Sequence, residues 1–294
     1  MRMRPERFLI VTADDFGLHE SVNEAVELAT RAGTLSAASL MVGAAASADA
    51  VRRARELPGL RVGLHLVLTD GMPTLPPMEI KALVDSHGHF RSRLVADAAR
   101  YFLSPRARRE LEAEIRAQFK AFAATGLALD HVNAHKHFHI HPTVLGLMLK
   151  VGRDFGLRAV RLPYEPAELV QPPSWLARVS CWSIAPWLRL MQRRLDRAGV
   201  MSNDHLLGIH HSGAMSETTL LESLKRLPRG VTEIYLHPAT ESGAAIAHSM
   251  REYRHADELA ALRSPRIRAA LAQARTVCGG YGDLVRFRSQ RVAA

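Results

Sequence analysis

A TIM-like (β/α) barrel, complete or incomplete, is the fold class this sequence predicts, and three observations predict it. Compact apolar runs alternate with helix-patterned segments along the 294 residues, as expected of parallel βαβ units. The alternation supplies about six to eight such units within one α/β domain over 1–294, without a linker, internal repeat or low-complexity tract. No GxGxxG or P-loop follows the first apolar run, which argues against an open dinucleotide-binding sheet.

The elements follow in order. Residues 7–13 (RFLIVTA) read as a buried strand ending in the loop DDFG. Ser21 to Glu24 form a capping-box pattern that opens a helix stopping near Gly33. Residues 35–43 read as a strand, 44–57 as an Ala-rich helix and 60–68 as a strand. A Pro-rich loop (72–77) and a polar segment lead to a charged helix over 106–125, ended by Gly126. Residues 129–135 are a strand, 142–155 a helix, 157–163 a strand, and a long helical region with Pro186 inside it follows. Strands over 204–210 and 231–237 flank a helix opened by Ser216 and Thr219, and a last helix spans 257–274 before LVRFR.

Hydrophobic residues make up 47%, enough for a large core. The two cysteines, Cys181 and Cys278, are far apart, which excludes a disulfide scaffold or structural zinc module and suits a reducing compartment. The basic N-terminus reads as strand rather than signal peptide, and no apolar run reaches the ~20 residues of a membrane span. A cytoplasmic protein, peripheral to a membrane at most, is expected. The net charge of +10 suits an anionic partner, nucleic acid or acidic lipid, and equally an arginine-rich composition.

Chemistry concentrates where strands end. Asp14 and Asp15 close the first strand, His65 lies near the end of 60–68, His135 closes 129–135 and His237 closes 231–237. In a (β/α) barrel the strand C-termini converge on one catalytic face, so these scattered residues would meet. Two imidazoles and a carboxylate satisfy one divalent metal ion and leave positions open for water and substrate. Each residue also has a plainer use. The Asp pair suits a turn that caps the next helix, His65 a hydrogen-bonded core site, and His237 before Pro238 a strand-end cap. His135, His137, His139 and His141 alternate, and would share a face if the tract were extended. Arg161 and Tyr164 follow a strand end on the same expected face and are candidate substrate contacts.

The segments TADDFG (12–17), GLHLVLTDG (63–71), DHVNAHKHFHIHP (130–142) and YLHPA (235–239) resemble the YdjC-like carbohydrate deacetylase family, in its order and across nearly the whole chain. The resemblance implies a barrel-like fold and one divalent ion (Mg, Zn, Mn or Ni) held by Asp15, His65 and His135. It implies Asp14 as general base and His237 as general acid in removing an N-acetyl group from an amino sugar. Lys136 departs from a position where many relatives carry histidine, which leaves His137 and His139 as candidate substrate contacts only. The stretches AASLMVG (37–43), LPGLRVGLHLVL (57–68), EIRAQFKAFAATGL (114–127) and LRAVRLPYEP (157–166) are similar to the hopanoid-biosynthesis deacetylase branch, HpnK. That implies an N-acetylglucosaminyl hopanoid as substrate.

Trp175, Trp182 and Trp187, with Arg178, Arg189, Arg193 and Arg194, give 175–194 the composition of an interfacial membrane contact or of a substrate lid. Other functions fit less of the pattern. A glycosidase would leave the histidines idle. A phosphoesterase gathers further carboxylates for a second metal. A non-catalytic metal-binding protein at a membrane surface has no use for Asp14 or His237, and no basic–aromatic motif for nucleic acid occurs.

Overall fold

The computed structural model describes residues 7–169, 175–241, 246–274, 276–284 and 287, with the backbone alone over 175–183. Strand β1 (Arg7–Phe16) is the axis of the sheet, joined by β2 (Ala37–Leu40), β3 (Arg61–Leu66), β4 (Val132–Ala134), β5 (His205–Leu207), β6 (Gly230–Leu236) and the short β7 (Val277–Cys278). All pairings between these strands are parallel, in the order β4-β3-β2-β1-β6-β5, with β7 beside the start of β1. The two edges are bridged by 158–164. Val132 pairs with Val160 and Ala159 with Met201, and the Leu206 N–H donates to the Tyr164 carbonyl at 2.8 Å. The sheet thus curls into a barrel one strand position short of the eight of a full TIM barrel. The expected strand over 157–163 survives only as these bridges, because the Asn203 side chain replaces the ladder there, accepting from Leu162 N and donating to Leu162 O.

Period-two alternation sorts β1 into two faces. Leu9, Val11 and Ala13 join the large apolar layer beneath the helices. Phe8 and Ile10 meet Ala37, Ala159, Val231 and Tyr281 inside the barrel. Above that plug the interior becomes polar. Thr12 Oγ1 donates to Glu233 at 2.7 Å, Arg161 spans Glu233 and Asp14, and His131 reaches Ser39 Oγ at 3.1 Å. A β-carbon on Gly63 would lie 2.5 Å from the His131 ring, so glycine there is what admits the imidazole.

The helices are α1 (Glu20–Arg31), α2 (Ser47–Arg55), α3 (Leu94–Leu103), α4 (Pro105–Ala124), α5 (Pro142–Gly152), α6 (Trp175–Arg197) and α7 (Glu217–Lys225), then His255–Arg263 and Pro265–Gln273. Four expectations change. The cap of α1 is His19, whose ring accepts from Ser21 N, rather than Ser21 itself. Helix α3 stands in the polar segment before α4, where no helix was expected. The helix expected over 257–274 breaks at Ser264, which caps the next turn ahead of Pro265. The histidine tract is not extended. Lys136 and His137 adopt left-handed φ of 52° and 53° and turn the chain into a 3₁₀ segment, so its histidines do not share a face. Helix α4 braces the β3 exit. Gln118 bonds both Val67 N and Val67 O, and Glu114 accepts from Thr74 N and Leu75 N.

Candidate metal centre and active site

The site begins with a backbone irregularity. Adjacent residues in a regular strand face opposite ways, so Asp14 and Asp15 could not both enter the barrel mouth from one. The register of β1 against β2 shifts between Ala13 and Phe16, and Asp15 takes φ 62°. A left-handed non-glycine residue costs about 1–2 kcal/mol. Here it tips Asp15 back over the barrel beside Asp14, both 2% exposed.

Asp15 Oδ1 lies 3.2 Å from His65 Nε2 and 3.0 Å from His135 Nδ1, while the buried Oδ2 has no hydrogen-bond partner. The three donor atoms fall within 4.8 Å of one another. A buried carboxylate oxygen left unpaired is costly, and this donor set, open on one side, suits a divalent ion. His65 is oriented through its other nitrogen. Nδ1 meets Asn133 Oδ1 at 2.6 Å, while the Asn133 amide donates to Ser39 Oγ and Asp14 Oδ1. That leaves the Nε2 lone pair for a ligand. Burial works to raise the Asp15 carboxyl, but His135 and His65 hold it well below the usual carboxylate range.

Asp14 is held from beneath by both Arg161 nitrogens, at 2.5 and 2.9 Å. Burial opposes its ionisation, and the guanidinium overrides burial and keeps it a carboxylate. His237 stands opposite, Nε2 3.9 Å from Asp15 Oδ2. Burial pushes its imidazole down, against the pull of Asp15 and Asp14, so it rests neutral at neutral pH. Asp14, His65, His135 and His237 border a cavity of about 210 Å³ that Tyr235, Tyr253 and Ser212 also line.

A family model for YdjC-like proteins matches residues 8–273. The chain belongs to the YdjC-like family. It is 31% identical to a carbohydrate deacetylase of Brevibacillus brevis over 264 residues, 88% of this chain and 92% of the relative. It is 29% identical to a chitooligosaccharide deacetylase of Serratia marcescens, over 95% of this chain and 100% of that one. Among solved structures, a protein of Enterococcus faecalis V583 with a suggested role in cellobiose-phosphate cleavage superposes with TM-score 0.73 at 25% identity, covering 95% and 98% of the two chains.

In this YdjC-like protein the barrel mouth brings together Asp14, Asp15, His65, His135 and His237. The other expected contacts fall elsewhere. Arg161, fully buried, lies under the floor in its ion pairs and presents nothing to a substrate. Tyr164 borders a different cavity, of about 490 Å³, between the barrel wall and α6. His139 is buried with Nε2 on the Arg161 carbonyl, and burial together with Arg161 pushes it down to about 3. His137 does border the site cavity, with Nε2 3.2 Å from the Tyr235 hydroxyl. Lys136 pairs with Asp70 at 2.7 Å on the rim. In 175–194, the side chains of Trp175, Arg178 and Trp182 lie outside the described residues. The half-buried Trp187 donates its indole N–H to Ile140 O, which makes it a packing residue rather than a free anchor.

Asn133, Glu233 and Tyr235 were absent from the expected set, although period two predicts them. Asn133 alternates with His131 and His135, and Glu233 and Tyr235 with His237. Glu258 gave no such signal. From the helix His255–Arg263 it accepts from His237 N and Met215 N, while His255 Nδ1 meets His237 O, so one helix grips the residue's backbone on both sides. Burial pushes Glu258 up to about 7, against the two backbone donors. A carboxyl raised in the fold contributes stability that is full below its unfolded value of about 4.5 and is lost as pH rises towards 7. Glu258→Gln is therefore expected to flatten the fall in stability across that window, a difference on the order of 3 kcal/mol. Urea titrations at successive pH values measure it, and parallel curves for both proteins would refute it.

Proposed function

We propose that the protein is a metal-dependent deacetylase that hydrolyses the N-acetyl group of an amino sugar. The observation that carries this reading is Asp15, one oxygen unpartnered, turned by its left-handed backbone against His65 and His135, which line an open cavity. The named relatives supply the reaction class. A divalent ion on Asp15, His65 and His135 would acidify water and polarise the acetamide carbonyl. Asp14, kept ionised and aimed by Arg161 and Asn133, takes a proton from the attacking water as its oxygen adds to the carbonyl carbon. His237, neutral at rest, receives that proton and delivers it to the nitrogen as the C–N bond breaks, because an amine leaves poorly as an anion. The cavity of about 210 Å³ is smaller than those of drug-sized ligands and suits one sugar ring better than a chain.

The finer substrate we propose is an N-acetylglucosaminyl hopanoid, for which the four sequence stretches of that branch are the support. A lipid-linked substrate would bring the protein to a membrane surface. The test is mass spectrometry of this lipid and of diacetylchitobiose after incubation with enzyme loaded with Zn, Mn, Mg or Ni. Loss of one acetyl group from the lipid alone is expected, and Asp14→Asn should abolish it while retaining bound metal. Deacetylation of chitobiose alone would keep the reaction and discard the lipid. Product from neither, with every metal, would overturn the reaction.

A further inference from the structure

Helix α3 is the element the sequence did not announce and the site does not use. Its inner side is fixed. Tyr101 donates to Leu68 O at 3.1 Å, three residues beyond His65, and its ring lies 5.6 Å from Phe138 in the histidine tract. The Phe102 ring reaches His141 at 6.5 Å, so the helix sits beside the barrel mouth. Its outer side is apolar and bare. Val95 is 86% exposed, Phe102 56% and Leu103 72%, with Leu94 adjoining them. Val95 and Phe102 are two helical turns apart and lie on one stripe. Singly exposed apolar residues need no explanation, but four on one ten-residue helix do.

The surrounding charge selects what covers this face. Residues 91–110 hold six arginines (Arg91, Arg93, Arg100, Arg106, Arg108 and Arg109) and two acids, Glu110 and the buried Asp97. Arg100 pairs with Asp97 and Arg106 with Glu110, while Arg93, Arg108 and Arg109 make no ion pair among the described residues. Arg108 donates to Phe102 O at 2.8 Å, which sets its guanidinium at the edge of the apolar face. A second copy docking face to face would set arginines against arginines, and like-charge juxtaposition disfavours that contact. Nucleic acid would satisfy the arginines and leave Val95 and Leu103 without a partner. A surface that takes aliphatic side chains inward and answers guanidinium with anionic headgroups satisfies both. We propose that α3 is a membrane-surface helix that seats the barrel mouth on anionic lipid.

This inference does not depend on the reaction, so its test needs no turnover. Full-length protein is sedimented with vesicles of phosphatidylglycerol and phosphatidylcholine, and with vesicles of phosphatidylcholine alone. Binding to the anionic vesicles only, weakened by salt, is expected. The variant Val95→Ser, Phe102→Ser, Leu103→Ser is expected to lose at least tenfold in partitioning with an unchanged melting midpoint. Arg93→Ser with Arg109→Ser, which leaves the apolar face intact, should lose the preference for anionic lipid. No sedimentation of the wild-type protein would overturn the proposal. So would binding that survives both variants but fails when Arg189 and Arg193 of α6 are replaced by Ser. A dimer in analytical ultracentrifugation that the α3 variant dissolves would assign the face to self-association and overturn it too.

Discussion

Asp15→Ala is expected to lose the divalent ion and to lower deacetylation by roughly 10³-fold or more, since metal electrostatics are worth several kcal/mol in such a step. The size follows from position. Asp15 is the only carboxylate of the three-donor cluster among the described residues, and its Oδ1 faces both histidines. Two imidazoles alone would hold the ion weakly and supply no negative charge to balance it. Asp15→Asn separates charge from backbone, since asparagine tolerates the left-handed conformation. It too should fail to bind metal. Asn133→Ala, which releases the His65 ring and also removes a donor to Asp14 and Ser39, should cost about 10–100-fold in metal affinity. Elemental analysis after dialysis against Zn and Mn, with melting curves in chelator and in metal, measures all three. One retained equivalent of metal in Asp15→Ala would mean the ligand set is wrong.

The ring of parallel strands and the meeting of Asp14, His65, His135 and His237 were legible because both depend on period and order, which sequence carries directly. A strand end is marked by where an apolar run stops, and the barrel topology brings such ends together. Local backbone sign was not legible. The bulge at Asp15 and the left-handed pair Lys136 and His137 occur at non-glycine residues, held by their surroundings rather than by intrinsic preference, and the tract therefore reads as extended when it is coiled. Side-chain direction was the second gap. Arg161 stands at the expected height in the barrel, yet it points inward to two carboxylates rather than outward to a ligand. Glu258 was out of reach for a third reason. It comes 21 residues after His237 on a helix, and only the folded chain shows which backbone it grips.

Arg161→Met is expected to destabilise the protein by about 3–5 kcal/mol near neutral pH, the cost of breaking a buried ion pair by removing one partner. The arginine is wholly buried between Asp14 and Glu233, so its loss strands two carboxylates. Thr12 Oγ1, the Tyr281 hydroxyl and the Asn133 amide would still donate to them, but no cation would replace the guanidinium. The pH dependence gives the mechanism away. In the wild type Asp14 is held far below its ordinary 3.8, so its contribution is present above that value and is lost as pH falls through the lower, folded one. In the variant burial acts on Asp14 without Arg161 and raises its carboxyl, so protonation relieves the variant at a pH where the wild type is still unaffected. The stability gap should therefore narrow from about pH 7 to about pH 5. Adding Glu233→Gln should recover part of the loss, because one of the two stranded charges is then gone. Urea denaturation of the single and double variants at both pH values decides the matter. A gap that stays constant with pH, or a double variant weaker than the single, would show that Arg161 acts through packing rather than charge.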